Sequence, residues 1–271
     1  MTPLPNRGVV EISGDDRVKV LQGLVSNDVA KAGAGQAVWA ALLTPQGKWL
    51  ADFFIIAEGE RLLLECERTQ APMIVQLLSR YRLRAQVALR DVSADFHVYV
   101  AWGEAPADGD IVVADPRLPE AGWRVLSPVS LATDADADDW DSHRLALGLP
   151  DGSRDLETEK TVLLEAGFDE LGGVSWSKGC YMGQELTART KYRGLLKRRI
   201  VPVDVTGPLP APDTPVLRDG VEVGTMRSGS GEAGLAVLRL DSLGAPLRCG
   251  DATLTPRIPD WMRLPEPVKA G

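Results

Sequence analysis

The sequence predicts an α+β chain that ends in a small all-β module. Three observations carry this. In the first hundred residues strand-like runs follow one another through short turns, with two helical stretches and no regular strand–helix–strand alternation. Proline and glycine cluster at 207–215, "GPLPAPDTP", as at a linker or domain edge. Beyond that cluster the chain reads as hairpins only, the first of them turning on Asp219-Gly220. The boundary is placed at 200/201, with residues 1–200 forming the larger α+β part and 201–271 the β module.

Taken in order, "GVVEIS" (8–13) alternates like a strand and stops at Gly14. Asp15 and Asp16 then read as the start of a helix with Val18, Leu21, Leu24 and Val25 on one face, ended by "SND". "AVWAALLT" (37–44), "PQGK" and "WLADFFIIA" (49–57) read as strand, turn and strand, and "RLLLECE" continues the sheet after an "EGE" turn. From Gln70 to Leu83, Met73, Ile74, Leu77, Leu78 and Tyr81 recur at helical spacing. "QVALRDV" and "FHVYVAW" return to strands. From about 133 the chain turns acidic and then helical, and after the linker "VLRDGVEVG", "GLAVLRL" and "ATLTPRI" read as strands.

Composition narrows the function. With 38 acidic against 30 basic residues the net charge is −8, which disfavours broad nonspecific binding to nucleic acid. The first residues, "MTPLPNRGVVEIS", have no apolar signal-peptide core, and "FFIIA" is too short to span a bilayer. Cys66, Cys180 and Cys249 are odd in number and widely scattered, so a disulfide framework is not expected and a reducing cytoplasm is. "GSGEAG" (229–234) satisfies G-x-G-x-x-G but sits between strands, without the helix N-terminus that would hold a pyrophosphate. "DADADDWDSHRL" (134–145) lacks the glycine and the terminal glutamate of a calcium loop. His97 and His143 are the only histidines and no C-x-x-C is present, so no metal site is predicted.

The remaining chemistry lies at 178–185, "KGCYMGQE". Gly179 and Gly183 permit a sharp turn around Cys180, and the following "QELTART" starts as a helix. A cysteine at a helix N-terminus beside Lys178 is expected to be held as a thiolate. A cysteine packed as a small hydrophobe between turn glycines fits the same spacing. Directly after it, Arg189, Lys191, Arg193, Lys197, Arg198 and Arg199 surround Tyr192 and Gly194, a local reversal of charge that suits an anionic partner, RNA among them, or a solvated face.

The stretch "GGVSWSKGCYMGQELTARTKYRG" (172–194) resembles the signature of the YgfZ family through Lys178, Gly179, Cys180, Tyr181, Gly183, Gln184 and Glu185. The N-terminal run "VVEISGDDRVKVLQGLVSND" followed by "TPQGKWLADF" is similar to the pattern that YgfZ proteins share with the aminomethyltransferase T-protein of glycine cleavage. The likeness looks closest to the branch that holds the mitochondrial iron–sulfur assembly homologue. It implies a ring-like, cloverleaf arrangement of three domains, with two intertwined α+β subdomains in 1–200 and a barrel-like module in 201–271. It also implies tetrahydrofolate, or a one-carbon derivative of it, in a central channel.

On that resemblance Asp52 would meet the pterin edge and Trp140 would stack on its ring. Tyr181, Gln184, Glu185 and Arg189 would line the cofactor, and the basic run at 189–199 would take the polyglutamate tail of folate or a partner; an RNA contact at 189–199 is a separate reading, from its charge alone. Cys180 and Lys178 would carry the chemistry. Two positions depart from the pattern: Arg7 stands where one branch carries a tryptophan, and Ala146 where T-proteins carry a glutamate. The implied function is a folate-binding accessory protein for assembly or repair of [4Fe–4S] clusters, meeting its assembly or client proteins transiently in the cytoplasm and away from membranes. Tetrahydrofolate-dependent aminomethyl transfer and a tRNA-modification-linked RNA role are the alternatives.

Overall fold

The computed structural model describes residues 1–33 and 35–264. In chain order the strands are β1 (Thr2–Pro3), β2 (Arg7–Ser13), β3 (Val38–Leu43), β4 (Trp49–Glu58), β5 (Arg61–Glu67), β6 (Ala88–Asp91), β7 (His97–Ala101), β8 (Ile111–Ala114) and β9 (Trp123–Ser127). They are followed by β10 (Arg198–Thr206), β11 (Pro215–Arg218), β12 (Val221–Ser230), β13 (Ala233–Arg239), β14 (Leu247–Cys249) and β15 (Ala252–Pro256). The helices are α1 (Arg17–Gln22), α2 (Ala71–Tyr81), α3 (Ala137–Leu147), α4 (Gly152–Asp155) and α5 (Gln184–Tyr192). None of the described helices is long and apolar enough to cross a membrane.

The first sheet has the order β3-β4-β5-β2-β6, all antiparallel. Its central strands are buried on both faces, which is why "FFIIA" runs without alternation. Ala51, Phe53 and Ile55 point to the side covered by α1 and α2, while Trp49, Phe54 and Ile56 point the other way. Asp52 shares the parity of Phe54 and therefore faces that second layer. There it meets residues of a four-stranded sheet, β1-β7-β9-β8, and of the segment from α3 to α5. "IVVA" and "WRVLS", which form β8 and β9, and the two-residue β1 were missed by the sequence reading.

The C-terminal part is a closed six-stranded barrel, β10-β13-β12-β11-β14-β15, with its own core of Val201, Val203, Met226, Leu238 and Leu254. Asp219 and Gly220 both have positive φ, 52° and 80°, as a two-residue Asp-Gly hairpin requires. "GSGEAG" is the β12–β13 hairpin, with Gly229 opposite Gly234. The first barrel strand begins at Arg198, so a boundary at 200/201 falls inside it. The barrel is fastened to the body where α3 ends. Arg257 donates to the carbonyls of Ala146 and Leu145, and the Trp261 indole to that of Leu147, satisfying acceptors that a helix C-terminus leaves open. The acidic stretch before α3 is its cap: Asp136 accepts from Asp138 and Asp139, and Asp139 accepts from the Asp136 backbone in return.

Candidate functional site

Three motifs that lie far apart in sequence build one surface. The loop 172–183 runs along the segment that follows α1. Ser26 donates to the Gly173 carbonyl at 2.6 Å and Asn27 to that of Gly172 at 2.7 Å, while the Ser175 and Met182 amides donate to Ser26 and Gly23. At its far end Gly183 sits back to back with Gly47 of the "PQGK" turn. A Cβ on Gly183 would lie 2.5 Å from the Thr44 oxygen, and one on Gly47 would lie 2.5 Å from the Gly183 oxygen. Both residues have positive φ, 81° and 84°. "SND", "PQGK" and "KGCYMGQE" are thus parts of a single mount.

Held on both sides, the loop presents Cys180 to solvent as an exposed free thiol. Gly179 beside it has φ of 92° and open space around it. The other two cysteines differ in kind. Cys66 lies in the core of the first sheet, where burial pushes its thiol up to about 12, and Cys249 is buried in the barrel. Of the two readings the sequence left open, the packed cysteine is the one the geometry excludes.

The activation expected for Cys180 is corrected in two respects. Helix α5 starts only at Gln184, capped by Gly183, so the thiol stands before the helix and outside its first turn. Lys178 is engaged elsewhere: its ammonium donates to the carbonyls of Val25 and Asn27 at 2.6 and 2.7 Å and lies 5.2 Å from the centre of the Tyr181 ring. Burial lowers its pKa to about 8, a cost that these carbonyls and the ring face offset. Lys178 is therefore a strut that shapes the loop.

The other expected site residues separate. Tyr181 is buried, and its amide donates to the Gln184 side chain, so both residues brace the loop. Glu185 and Arg189 point to solvent from α5. The basic run is partly neutralised: Lys191 pairs with Asp169 at 2.9 Å, Arg198 with Glu165 at 3.5 Å, and buried Arg199 with Glu170 at 2.7 Å. That leaves Arg189, Arg193 and Lys197, a thinner anion-binding face than the sequence suggested. The reading of the residues gave no part to two exposed aromatics on this surface, Trp176 and Tyr192, which meet edge to face at 6.0 Å. Trp176 also carries the Lys191 ammonium 4.1 Å from its ring centre and donates to Asp169. The signal was present in "VSWSK", where a tryptophan stands among turn residues.

Asp52 and Trp140 lie buried between the two sheets, and each is engaged by neighbours of its own chain. Both Asp52 oxygens accept indole N–H groups, from Trp39 at 2.9 Å and from Trp49 at 3.2 Å, in a site 5% exposed. Burial raises its pKa, with Arg7 opposing. Trp140 is buried among Trp102, His143 and the Arg124 guanidinium. The residues present do not fit the group that the resemblance puts there. The expected cofactor contacts of Asp52 and Trp140 are corrected accordingly.

The glycines of the mount give a direct check. Gly183→Ala is expected to lower stability by about 2–4 kcal/mol, from left-handed strain together with overpacking against Thr44 and Leu43. Gly179→Ala, with strain alone, is expected to cost about 1–2 kcal/mol. Urea denaturation of the two variants measures the difference.

Comparison with known proteins agrees with this architecture. A family described as "CAF17, C-terminal beta-barrel domain" matches residues 197–264. The chain is 31% identical over 299 residues to "Iron-sulfur cluster assembly factor IBA57, mitochondrial" of Homo sapiens, covering 95% of this chain and 84% of the human one. The mouse (Mus musculus) protein of the same name is 30% identical, with the same coverage. The homologue from Mycosarcoma maydis is 36% identical over 227 residues, and the match spans 75% of this chain but only 56% of that protein's length. Among solved structures, the glycine cleavage system aminomethyltransferase T from Bartonella henselae superposes with a TM-score of 0.77 over 96% of this chain and 85% of the other, at 15% identity.

Proposed function

Because the chain belongs to the IBA57 family of iron–sulfur cluster assembly factors, within the YgfZ proteins, we propose that it assists assembly or repair of [4Fe–4S] clusters through Cys180. The observation that carries this reading is the exposed thiol on a braced loop. One thiolate cannot hold such a cluster, which takes about four. No group of three or more potential metal ligands occurs among the described residues. Cys180 then acts as one ligand of a cluster whose other ligands a transient partner provides. The thiol gives up its proton, its sulfur binds iron, and a ligand on the partner's side is released. The cluster is cargo and passes on.

Free Cys66, Cys180 and Cys249 favour a reducing compartment, and the cytoplasm is proposed on that ground. No step is assigned to tetrahydrofolate, since the residues that would hold it are otherwise engaged. Aminomethyl transfer is not adopted, because the likeness to the aminomethyltransferase shows the fold alone and Ala146 offers no carboxylate. An RNA role is not adopted either, three of the six clustered cations being paired within the chain.

The test is complementation. In a strain lacking this protein, Cys180→Ser is expected to restore less than a tenth of the [4Fe–4S] dehydratase activity that the wild-type chain restores. Its melting temperature should stay within about 2 °C of wild type, because an exposed side chain contributes little to stability. Full restoration by Cys180→Ser would refute the role of the sulfur.

A further inference from the structure

The two sheets and the segment around 115–151 meet at an interior rich in paired charge, in which Glu65 Oε2 alone among the carboxylate oxygens of Asp52, Glu65, Asp115 and Asp151 is buried without a partner. Arg7 donates to Glu65 at 2.5 Å, and Arg124 reaches Glu65 at 3.5 Å and Asp115 at 3.3 Å. Arg117 donates to Asp115 from Nε and Nη2, at 3.0 and 2.8 Å, and to the Pro150 carbonyl. Asp151 stands 3.9 Å from Arg7. Of these, all but Asp151 are buried, and so is Asp52 beside them. The guanidinium groups cover the aromatic faces. Arg124, Arg117 and Arg7 lie 4.1, 5.0 and 6.0 Å from the centre of the Phe54 ring. Trp39 stacks on Phe168 at 3.9 Å and carries Arg117 at 5.5 Å, and Arg124 lies 5.6 Å from the Trp140 ring.

A bicyclic pterin needs two things from a protein interior: a bare aromatic or aliphatic face to lie on, and a carboxylate or amide free to meet the donors along its edge. Here the faces carry arginine and the carboxylate of Asp52 accepts two indoles. Entry of the ring system would expose buried guanidinium groups to an unpaired state, one of the costliest changes an interior can undergo. Burial acts on the two signs of charge differently, and it lowers the Arg124 pKa although Glu65 and Asp115 oppose it. Against the burial penalty, Arg117 and Arg124 hold the Asp115 carboxyl below the usual range, and Arg144 and Arg7 hold Asp151 at about 2.

We infer that the interior which this fold could offer to a folate is, in this chain, a closed arginine–carboxylate core that ties the first sheet to the second, and that no pterin binds there. The inference is independent of the role proposed for Cys180, which stands or falls by complementation.

The test titrates the full chain with 5-formyltetrahydrofolate and with tetrahydrofolate, by calorimetry and by tryptophan fluorescence, which reports on Trp39, Trp49 and Trp140 at once. No saturable change up to about 1 mM is expected, the affinity of a contact worth only a few kcal/mol. A second readout needs no variant. The indole N–H protons of Trp39 and Trp49 should exchange slowly in heavy water and keep their NMR shifts when folate is added. A saturable transition weakened tenfold or more by Asp52→Asn, or folate-dependent shifts of those two indole protons, would overturn the inference. Silence in both readouts, or a transition that leaves the two indoles and the Asp52→Asn comparison unmoved, bears it out.

Discussion

Glu65→Ala is expected to lower the unfolding free energy by about 3–5 kcal/mol, as removal of one partner from a buried ion pair does. The Glu65 side chain is fully buried and holds two guanidinium groups, Arg7 at 2.5 Å and Arg124 at 3.5 Å. Without it both cations keep their desolvation cost, Arg7 loses its nearest carboxylate, and Arg124 loses one of its two. The expected result is a fall in the urea midpoint at unchanged m-value. Replacing Arg7, Glu65 and Arg124 together by Leu, Leu and Met should recover much of the loss, because a well-packed apolar set has no charge to desolvate. If Glu65→Ala costs less than 1 kcal/mol, water reaches this interior and the cluster is not closed.

The same cluster sets the acid limit of the protein. Asp115 and Asp151 ionise more readily in the folded chain than in the unfolded one, Asp151 near 2. Their contribution is complete above the unfolded carboxyl value of about 4 and is lost as pH falls from there towards 2. Asp52 has the opposite sign. Its raised pKa means that its charge costs stability at neutral pH, and protonation relieves that cost. Thermal melts between pH 7 and pH 2 should therefore fall mainly below pH 4.

Asp155→Ala is expected to cost a further 3–5 kcal/mol, at the seam between body and barrel. Asp155 is 1% exposed and accepts from Arg144 at 3.0 Å, from the Asp151 amide at 2.8 Å, and from the Ser228 hydroxyl and amide at 2.6 and 3.2 Å. Ser228 belongs to β12 of the barrel, so one carboxylate joins α3, α4 and the barrel. Its loss leaves the Arg144 guanidinium with Asp141 at 2.7 Å and with Ser228 as its remaining side-chain partners, and removes the carboxylate on the barrel side. Hydrogen exchange should rise at Ser228 and around Arg257 and Trp261 before it rises in the barrel core. Uniform loosening of the whole chain would show instead that body and barrel unfold as one unit.

How legible the molecule was depended on the range of each interaction. The 71–81 helix, the Asp-Gly hairpin and the "GSGEAG" turn were readable because spacing and turn chemistry are local. β8 and β9 were not: they pair with each other across a short loop, but Val113 and Leu126 are buried by a core that Trp39, Phe54 and Ile56 of the distant first sheet help to form. Cys180 was singled out by its glycines, and its exposure was not decidable from them. The same pair of glycines serves two ends, a turn into open space at Gly179 and a tight seat against Gly47 at Gly183.

The sequence by itself determined most element types, β1, β8 and β9 apart, together with the barrel hairpins and the octapeptide that carries the sulfur, because each depends on neighbours a few residues away. Only the tertiary structure decided that Lys178 braces a loop, that Asp52 is taken by two tryptophans, and that Arg7, Arg117 and Arg124 close the interior. Charge pairing and burial depend on distance in space, and these partners come from segments up to 153 residues apart.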